Sequence, residues 1–349
     1  MNAELAIYPQ EDRLCCVLTE DGQPVEWLVE DNLQTLHRQD ILLGRVRQVT
    51  PALACVFVDI GLPHDAMLPL AEAPSTIKAG QSIIVQIRRE TTGDKGHQVT
   101  TRIELPGPFA VYNPQGSPKR RSKLRAFASD VQQSLFHDDL SRLEKIWSRL
   151  LADSLQGPVP RCLLAAGNPL QSALISFVSP DLKRILIEGD EVFNRVYTLV
   201  REIMPAYLPL LSLHVPGSGY GLATVLGLTD LAVRVKQRKI WLDNGGFLVI
   251  DRTEALTVID VNSGKDVKGR GNPELRQRTN LIAAAEIARQ LRLRNLGGNI
   301  VIDFLNLPDD AARSDLYAAM AAAMLRDRAK HRLLGFTALG LLEMIRTAI

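Results

Sequence analysis

Asp260 and Asn262 stand with one residue between them, at the end of residues 256–259, four apolar or β-branched positions that read as a buried strand. Strand alternation puts both side chains on one side. A second buried run, residues 299–304, carries Asp303 toward its end. Two carboxylates and an amide are hard oxygen donors. They suit Mg²⁺, which typically takes one or two carboxylates and keeps its waters for a phosphate substrate. Such an ion lowers the pKa of an attacking water and offsets charge on a phosphodiester. The alternative is structural: Asp260 caps the loop that follows it, and Asp303 pairs with an arginine on the intervening helix. Spacing alone leaves both open.

The elements around these residues can be read from pattern. After Asp260 comes a Gly/Lys-rich loop, residues 263–271. Asn272 suits an N-cap, Pro273 the first helical position and Glu274 the positive end of the dipole. The helix is predicted to run to about Arg294 and to stop at Leu296-Gly297-Gly298. Its apolar face reads as Leu281, Ala285, Ala288 and Leu291, with Arg289, Arg292 and Arg294 largely elsewhere. Strand, helix, strand predicts two adjacent parallel strands, with both carboxylates near the C-terminal edge of the sheet. Upstream, residues 239–242 and 247–251 flank Asp243-Asn244-Gly245-Gly246, a hairpin turn.

At 349 residues the chain exceeds one ordinary core, so two or three domains are expected. With 46% hydrophobic and 23% charged residues it is globular in composition, and a net charge of +2 neither demands nor excludes a polyanionic partner. The four cysteines form no C-x-x-C pair, which suits reduced thiols and argues against a zinc site or a disulfide framework. Neither a signal peptide nor an apolar run of membrane-spanning length is present, so a soluble, cytoplasmic protein is expected.

Residues 1–36 read as two strands around Glu20-Asp21-Gly22-Gln23, too small to stand alone. Short strands at 41–49, 53–59, 66–70, 81–90 and 98–105 predict a small barrel of the OB type, commonly used for single-stranded nucleic acid. The cluster Lys119-Arg120-Arg121-Ser122-Lys123 is ordinarily a solvated loop, with phosphate contact as the alternative. Two helical patterns follow, the clearer at 139–155 with Leu140, Leu143, Trp147, Leu150 and Leu151 on one face. Strands at 162–166 and 184–187 and helices at 190–203 and 226–236 are expected to complete the N-terminal strands into one discontinuous α/β domain.

Residues 247–307 closely resemble the catalytic region of the bacterial ribonuclease E/G family. The matching residues are Ile250-Asp251-Arg252-Thr253-Glu254-Ala255-Leu256, Ile259-Asp260-Val261-Asn262-Ser263-Gly264, Thr279-Asn280-Leu281, the stretch from Ala285-Glu286-Ile287 to Arg292-Leu293-Arg294, and Gly297-Gly298 with Ile302-Asp303-Phe304. Weaker similarity covers most of the chain, including Gly44-Arg45-Val46, Phe57-Val58-Asp59-Ile60-Gly61 and Gly340-Leu341-Leu342-Glu343-Met344. The resemblance implies that Asp260 and Asp303 bind a catalytic Mg²⁺ and that Asn262 orients the scissile phosphate or the attacking water. It implies a ribonuclease-H-like scaffold split between 1–36 and 158–245, an OB-fold RNA-binding module at 37–107, a shortened sensor-like or linker region at 108–157, and a deoxyribonuclease-I-like catalytic subdomain at 246–349. Phe57 and Lys95 match positions that contact single-stranded RNA. For Phe57 the rival is an ordinary core aromatic. Met67 stands where the family often has an aromatic, and Lys330 where a sensor arginine is expected.

The implied activity is Mg²⁺-dependent endonucleolytic cleavage of single-stranded, A/U-rich RNA to 5′-phosphate and 3′-hydroxyl ends, in RNA processing and mRNA decay. The rival is an RNA-binding protein with weak or no turnover on the same scaffold. The zinc link and small domain of the family lie beyond the point where this sequence stops, so no structural zinc and no zinc-linked assembly are expected; a monomer or a dimer joined in another way fits. Asn306 replaces an acidic residue common in the family. No counterpart of the Arg-Thr loop that grips an RNA 5′-monophosphate is found in 108–157, and lysine at 330 lacks the planar fork of arginine. Cleavage should therefore be nearly indifferent to the 5′ end. Initial rates on matched oligonucleotides with 5′-monophosphate or 5′-hydroxyl check this, and a preference of about tenfold, ~1.4 kcal/mol, would contradict it.

Overall fold

The computed structural model describes residues 2–11, 13–30, 36, 38–89, 91, 96–117, 119–125, 133–165, 169–177, 179, 181–215, 219–264, 273–307 and 309–348. The chain forms two compact units, Met1–Cys16 with Leu28–Val215, and Val17–Trp27 with Pro216–Ile349.

The chain opens with three strands where two were expected: β1 (Ala3–Gln10), β2 (Arg13–Glu20) and β3 (Gln23–Glu30). Two reversals make the third strand, one at Glu11 (φ 54°) and one at Asp21-Gly22 (φ 48° and 78°). Next come β4 (Ile41–Thr50), β5 (Cys55–Asp59), β6 (Ala66–Pro69), β7 (Ser82–Arg89) and β8 (Gln98–Thr100). They pair in the order β4-β5-β6-β8-β7, and β4 pairs again with β7, which closes a five-strand barrel consistent with an OB fold. Val46, Val56, Val58, Leu68 and Val85 fill it. A Cβ added at Gly44 would lie 2.5 Å from Val58 Cγ1, so β4 needs glycine where it passes β5.

A small sheet follows, β9 (Leu105–Pro106), β10 (Ala110–Tyr112) and β11 (Ser122–Leu124), with helix α1 (Gln133–Ser154) against it. Leu143 and Leu150 of α1 bury with Leu105, Ala110 and Tyr112. Buried Asp139 accepts hydrogen bonds from the backbone N–H of Phe109 and of Ala110, each at 2.9 Å, and Arg142 donates to its other oxygen at 2.7 Å. Leu151 is 42% exposed, not on the buried face as expected.

The remaining elements of this unit are β12 (Arg161–Leu164), α2 (Pro169–Phe177), β13 (Leu182–Glu188), α3 (Asp190–Ile203) and β14 (Leu211–His214). β13 pairs in parallel with β1, giving the sheet order β14-β13-β1-β2-β3 and joining residues distant in sequence as expected. β12 departs from that expectation: it adds to the barrel, antiparallel to β4, where Arg161 pairs with Leu43.

The second unit opens with α4 (Leu222–Val225) and α5 (Leu231–Arg234); of the helix expected over 226–236 only α5 forms, and Gly227, at φ 63°, lies in the break before it. Then come β15 (Lys239–Trp241), β16 (Phe247–Arg252), β17 (Leu256–Asn262), α6 (Pro273–Leu293), β18 (Gly298–Asp303), α7 (Asp310–Met324), β19 (His331–Phe336) and β20 (Leu342–Arg346). The sheet order is β15-β16-β17-β18-β20-β19, with β17 and β18 parallel as predicted. Leu248, Ile250, Ile259, Val261, Ile300 and Ile302 share one core with apolar residues of α6 and α7. Those helices therefore cover one face of the sheet.

The buried face of α6 is Ala283, Ala284, Ile287, Ala288 and Leu291, whereas Leu281 is 39% exposed and Ala285 is also exposed. Alanines let the helix lie close to the sheet, and an alanine-rich helix offers several overlapping apolar stripes. Arg292 was expected outside but is buried, because Glu20 and Glu26 meet its guanidinium at 2.8 and 3.0 Å. Burial pushes that guanidinium toward losing its proton, yet the two glutamates outweigh it and its pKa is raised.

A second buried ion pair ties the last strand in place. Arg346 donates through Nε and a terminal nitrogen to both oxygens of Asp327, at 2.5 and 2.9 Å, and to the Leu296 carbonyl at 2.7 Å. Both side chains are 1% exposed. Asp327→Ala strands the guanidinium without its carboxylate and should cost about 3–5 kcal/mol in urea unfolding. A loss under about 1 kcal/mol would contradict this account of the pair.

Candidate active site

Asp260 ends the buried stretch of β17, and Asp303 is its register partner on β18. Adjacent strands lie roughly 4.8 Å apart, so the two carboxylates rise side by side on the face away from α6 and α7. Asp260 is half-buried and Asp303 exposed. Asn262 shares their face, and its Nδ2 donates to Asp260 Oδ2 at 2.7 Å. The structure therefore brings all three residues together.

Among the described residues no cation lies within ion-pair distance of either carboxylate. The structural alternative for Asp303, a partner arginine on α6, is not realised among the described residues: Arg289 binds Glu286 at 2.6 Å, Arg292 binds Glu20, Arg294, just past α6, binds Gln290, and neither Arg276 nor Arg278 forms an ion pair with Asp303. Asp251 makes the contrast plain. It lies on the same face of β16, but Arg238 grips both its oxygens at 2.5 and 2.6 Å. Those hydrogen bonds hold its carboxyl below the usual range against the opposing effect of burial, and the arginine's charge adds to the lowering. Asp251 is a structural aspartate. Most of the loop that Asp260 would cap in the structural alternative lies outside the described residues.

The backbone around the pair is held from α6 by two consecutive residues. Asn280, fully buried, donates to the Leu305 carbonyl at 2.8 Å and accepts from the Leu305 N–H at 3.0 Å, fixing the exit of β18 just past Asp303. Thr279 donates to the Leu275 carbonyl at 2.9 Å and accepts from Asn244 Nδ2 at 2.8 Å, fixing the turn between β15 and β16. At Gly264 (φ 72°), just past Asn262, an added Cβ would lie 2.1 Å from the Gly245 carbonyl, so only glycine fits. Thr279 and Asn280 belong to the stretch that resembles the known family, yet pattern alone assigned them no role. Their signal was two adjacent polar residues within the buried part of a helix.

The donors fit a hard divalent cation. They are two carboxylates with no competing protein cation among the described residues, and an amide already oriented on one of them. A group of three or more His, Cys, Asp or Glu side chains does not occur among the described residues, and Mg²⁺ does not require one.

The other predicted residues lie apart from this group. Phe57 and Met67 are register partners on β5 and β6 of the barrel. Val56 and Val58 are fully buried, so alternation turns Phe57 outward, half-buried, beside Met67 at 36% exposure. Phe57 is thus not a core aromatic. Lys95 lies outside the described residues, as do Asn272 and most of the loop before it. Lys330 is exposed next to β19, at the end of the sheet where His331, Arg346 and Gly298 align. Asp303 is at the far end of β18, roughly 16 Å along the strand from that point. Asn306 is exposed. In the basic cluster, Lys123 is on β11, with its Nζ 3.5 Å from Glu104.

A parallel strand pair ending in two aspartates without an ion-pair partner among the described residues stands here in a mixed α/β chain that also carries a barrel consistent with an OB fold. The sequence model of the ribonuclease E/G family matches residues 118–349. Ribonuclease G of Haemophilus influenzae is 29% identical over 386 residues, covering 97% of this chain and 78% of that protein. Ribonuclease G of Escherichia coli strain K12 is 29% identical over 398 residues, covering 99% and 80%. Ribonuclease E of Haemophilus influenzae is 27% identical over 384 residues, covering 97% of this chain and 40% of that protein. The chain belongs to the ribonuclease E/G family.

Asn280→Ala leaves the Leu305 N–H and carbonyl without partners. It should lose about 1–3 kcal/mol in urea unfolding and slow RNA cleavage, with RNA affinity little changed. A variant with wild-type stability and rate would show that the exit of β18 needs no clamp.

Proposed function

We propose that this chain works as a Mg²⁺-dependent endoribonuclease of the ribonuclease E/G type, cutting single-stranded, A/U-rich RNA to 5′-phosphate and 3′-hydroxyl ends. The observation that carries the reading is the register pairing of Asp260 with Asp303, two carboxylates side by side with no protein cation between them among the described residues. Like charges so placed favour a bound cation.

Asp260 and Asp303 would hold Mg²⁺ through their carboxylate oxygens. When bound, the ion supplies charge compensation for the phosphodiester and a lowered pKa for the attacking water. Asn262, fixed on Asp260 by its Nδ2, orients the phosphate or the water at the sheet edge. Thr279 and Asn280 keep that edge from shifting. In the barrel, outward-facing Phe57 offers a ring to an unpaired base, with Met67 beside it and Lys95 supplying a phosphate contact.

In this reading 1–36 and 158–245 form a ribonuclease-H-like scaffold, 37–107 the OB-fold RNA-binding module, 108–157 a shortened linker, and 246–349 a deoxyribonuclease-I-like catalytic subdomain. The parallel pairing of β1 with β13 supports the split scaffold. The site of action would be the cytoplasm, in RNA processing and mRNA decay. Among the described residues no helix is long and apolar enough to cross a membrane.

The experiment is cleavage of a labelled single-stranded RNA with Mg²⁺ or with EDTA. Asp260→Ala and Asp303→Ala should abolish cleavage and leave RNA affinity nearly intact, and Asn262→Ala should slow the reaction less than either. Phe57→Ala should weaken binding by about 1–3 kcal/mol in a folded protein. Wild-type-like cleavage by either aspartate variant would overturn the site. Cleavage undiminished by EDTA would overturn the metal.

A further inference from the structure

The face that carries Asp260 and Asn262 continues across β16 to β15, where it presents two rings and a cation. Phe247 is the register partner of Asn262, and Trp241 is the register partner of Phe247. Their rings meet edge to face with centroids 5.4 Å apart. Lys239, on the same strand as Trp241, places its Nζ 3.9 Å from the Trp241 centroid and 3.7 Å from that of Phe247. Trp241 is 63% exposed, and Lys239 is exposed as well.

A cross-strand aromatic pair stabilises a hairpin by itself. That role needs contact between rings, which Phe247 already provides from a half-buried position. It leaves unexplained why the larger ring lies open to solvent, with a lysine held over the pair. Exposed aromatic faces accompanied by cations are how proteins hold single-stranded nucleic acid: the ring stacks on a base, the cation meets its phosphate, and no particular base is required. The position favours the same use. Trp241 lies two strands from Asn262, roughly 10 Å, and Phe247 one strand away, roughly 5 Å. A strand of RNA with a phosphate at Asp260 and Asp303 would place a neighbouring nucleotide there.

We propose that Trp241, Phe247 and Lys239 form a nucleotide subsite beside the aspartate pair, which stacks one unpaired base of the RNA next to the bond that is cut. The proposal rests on the ribonuclease reading for the position of that bond, but stacking itself is a binding property. Trp241 supplies the exposed stacking face. Phe247 sets the ring's angle from below, and Lys239 contributes charge to the phosphate of the stacked nucleotide. Because stacking ignores base identity, the subsite fixes the strand's position and not its sequence.

Binding and cleavage are read separately. In the Asp303→Ala background, fluorescence anisotropy measures affinity for a set of short single-stranded RNAs, each with one abasic nucleotide at a successive position. The same set is measured with Asp303→Ala/Trp241→Ala. One abasic position should weaken binding about tenfold with Trp241 present and cause no further loss once Trp241 is alanine. Asp303→Ala/Trp241→Tyr, which keeps a ring, should restore most of the effect. Circular dichroism checks that each variant is folded, as expected for a residue so exposed. An identical abasic profile with and without Trp241 would overturn the subsite. So would a change in sedimentation of the Trp241→Ala protein without RNA, because the ring would then be contacting a second copy of the chain. Failure of the wild type to cut any RNA, with the abasic profile intact, would instead overturn the ribonuclease reading and leave stacking in place.

Discussion

Two carboxylates held side by side on adjacent parallel strands repel each other, and the strands that carry Asp260 and Asp303 are held in register against that repulsion from α6. A parallel pair needs a crossover, and α6 supplies it. The same helix then has to press the strands into register. Its face of Ala283, Ala284, Ile287, Ala288 and Leu291 does so through close apolar contact, and Thr279 and Asn280 do so through directed hydrogen bonds at the reactive edge. Dispersion and burial set the distance between helix and sheet. The hydrogen bonds set where the strand ends lie.

Ion pairs divide the aspartates on and beside this sheet into two kinds. Asp251 is gripped by Arg238, and Asp327 by Arg346, and in both the charge is answered inside the protein. Asp260 and Asp303 have no such partner among the described residues. Buried ion pairs are costly to desolvate and contribute little net stability when complete, but removing one partner is severe. The Arg292 cluster with Glu20 and Glu26 is of this kind, and it fastens residues 17–27 to α6. Arg238, Arg346 and Arg292 thus answer scaffold carboxylates, and the proposed cation would answer the paired aspartates.

Much of this was legible from the residues. The strand–helix–strand pattern predicted the parallel pair, the spacing of Asp260 and Asn262 placed them on one face, and the five short strands predicted the barrel. The misses have physical causes. In α6, Leu281 looked like core and Arg292 like surface. Arg292 is buried by glutamates far away in sequence, which no local period contains, and Leu281 is exposed because another apolar stripe of the alanine-rich helix, through Ala284 and Ile287, faces the sheet. β12 joined the barrel because one side of β4 was available to it beyond β5, a long-range pairing that its composition does not encode. The helix expected at 226–236 forms only at 231–234, after a break that contains Gly227 with its positive φ. Asn280 was visible as a residue but not as a clamp, since its partner is a backbone group of another segment. The platform of Trp241 and Phe247 went unread because each ring, taken alone, is an ordinary strand residue.

In the proposed reading Asp260 and Asp303 hold a cation, which relieves the repulsion between their like charges. Thermal unfolding of the wild type and of Asp303→Asn, with EDTA and with increasing Mg²⁺, tests it most directly. The wild type should gain stability as Mg²⁺ rises, following the linkage between ligand and folded state. Asp303→Asn should be at least as stable as the wild type in EDTA, because the repulsion is gone, and should gain nothing from Mg²⁺. A variant that unfolds earlier in EDTA and still gains as much from Mg²⁺ as the wild type would contradict the account.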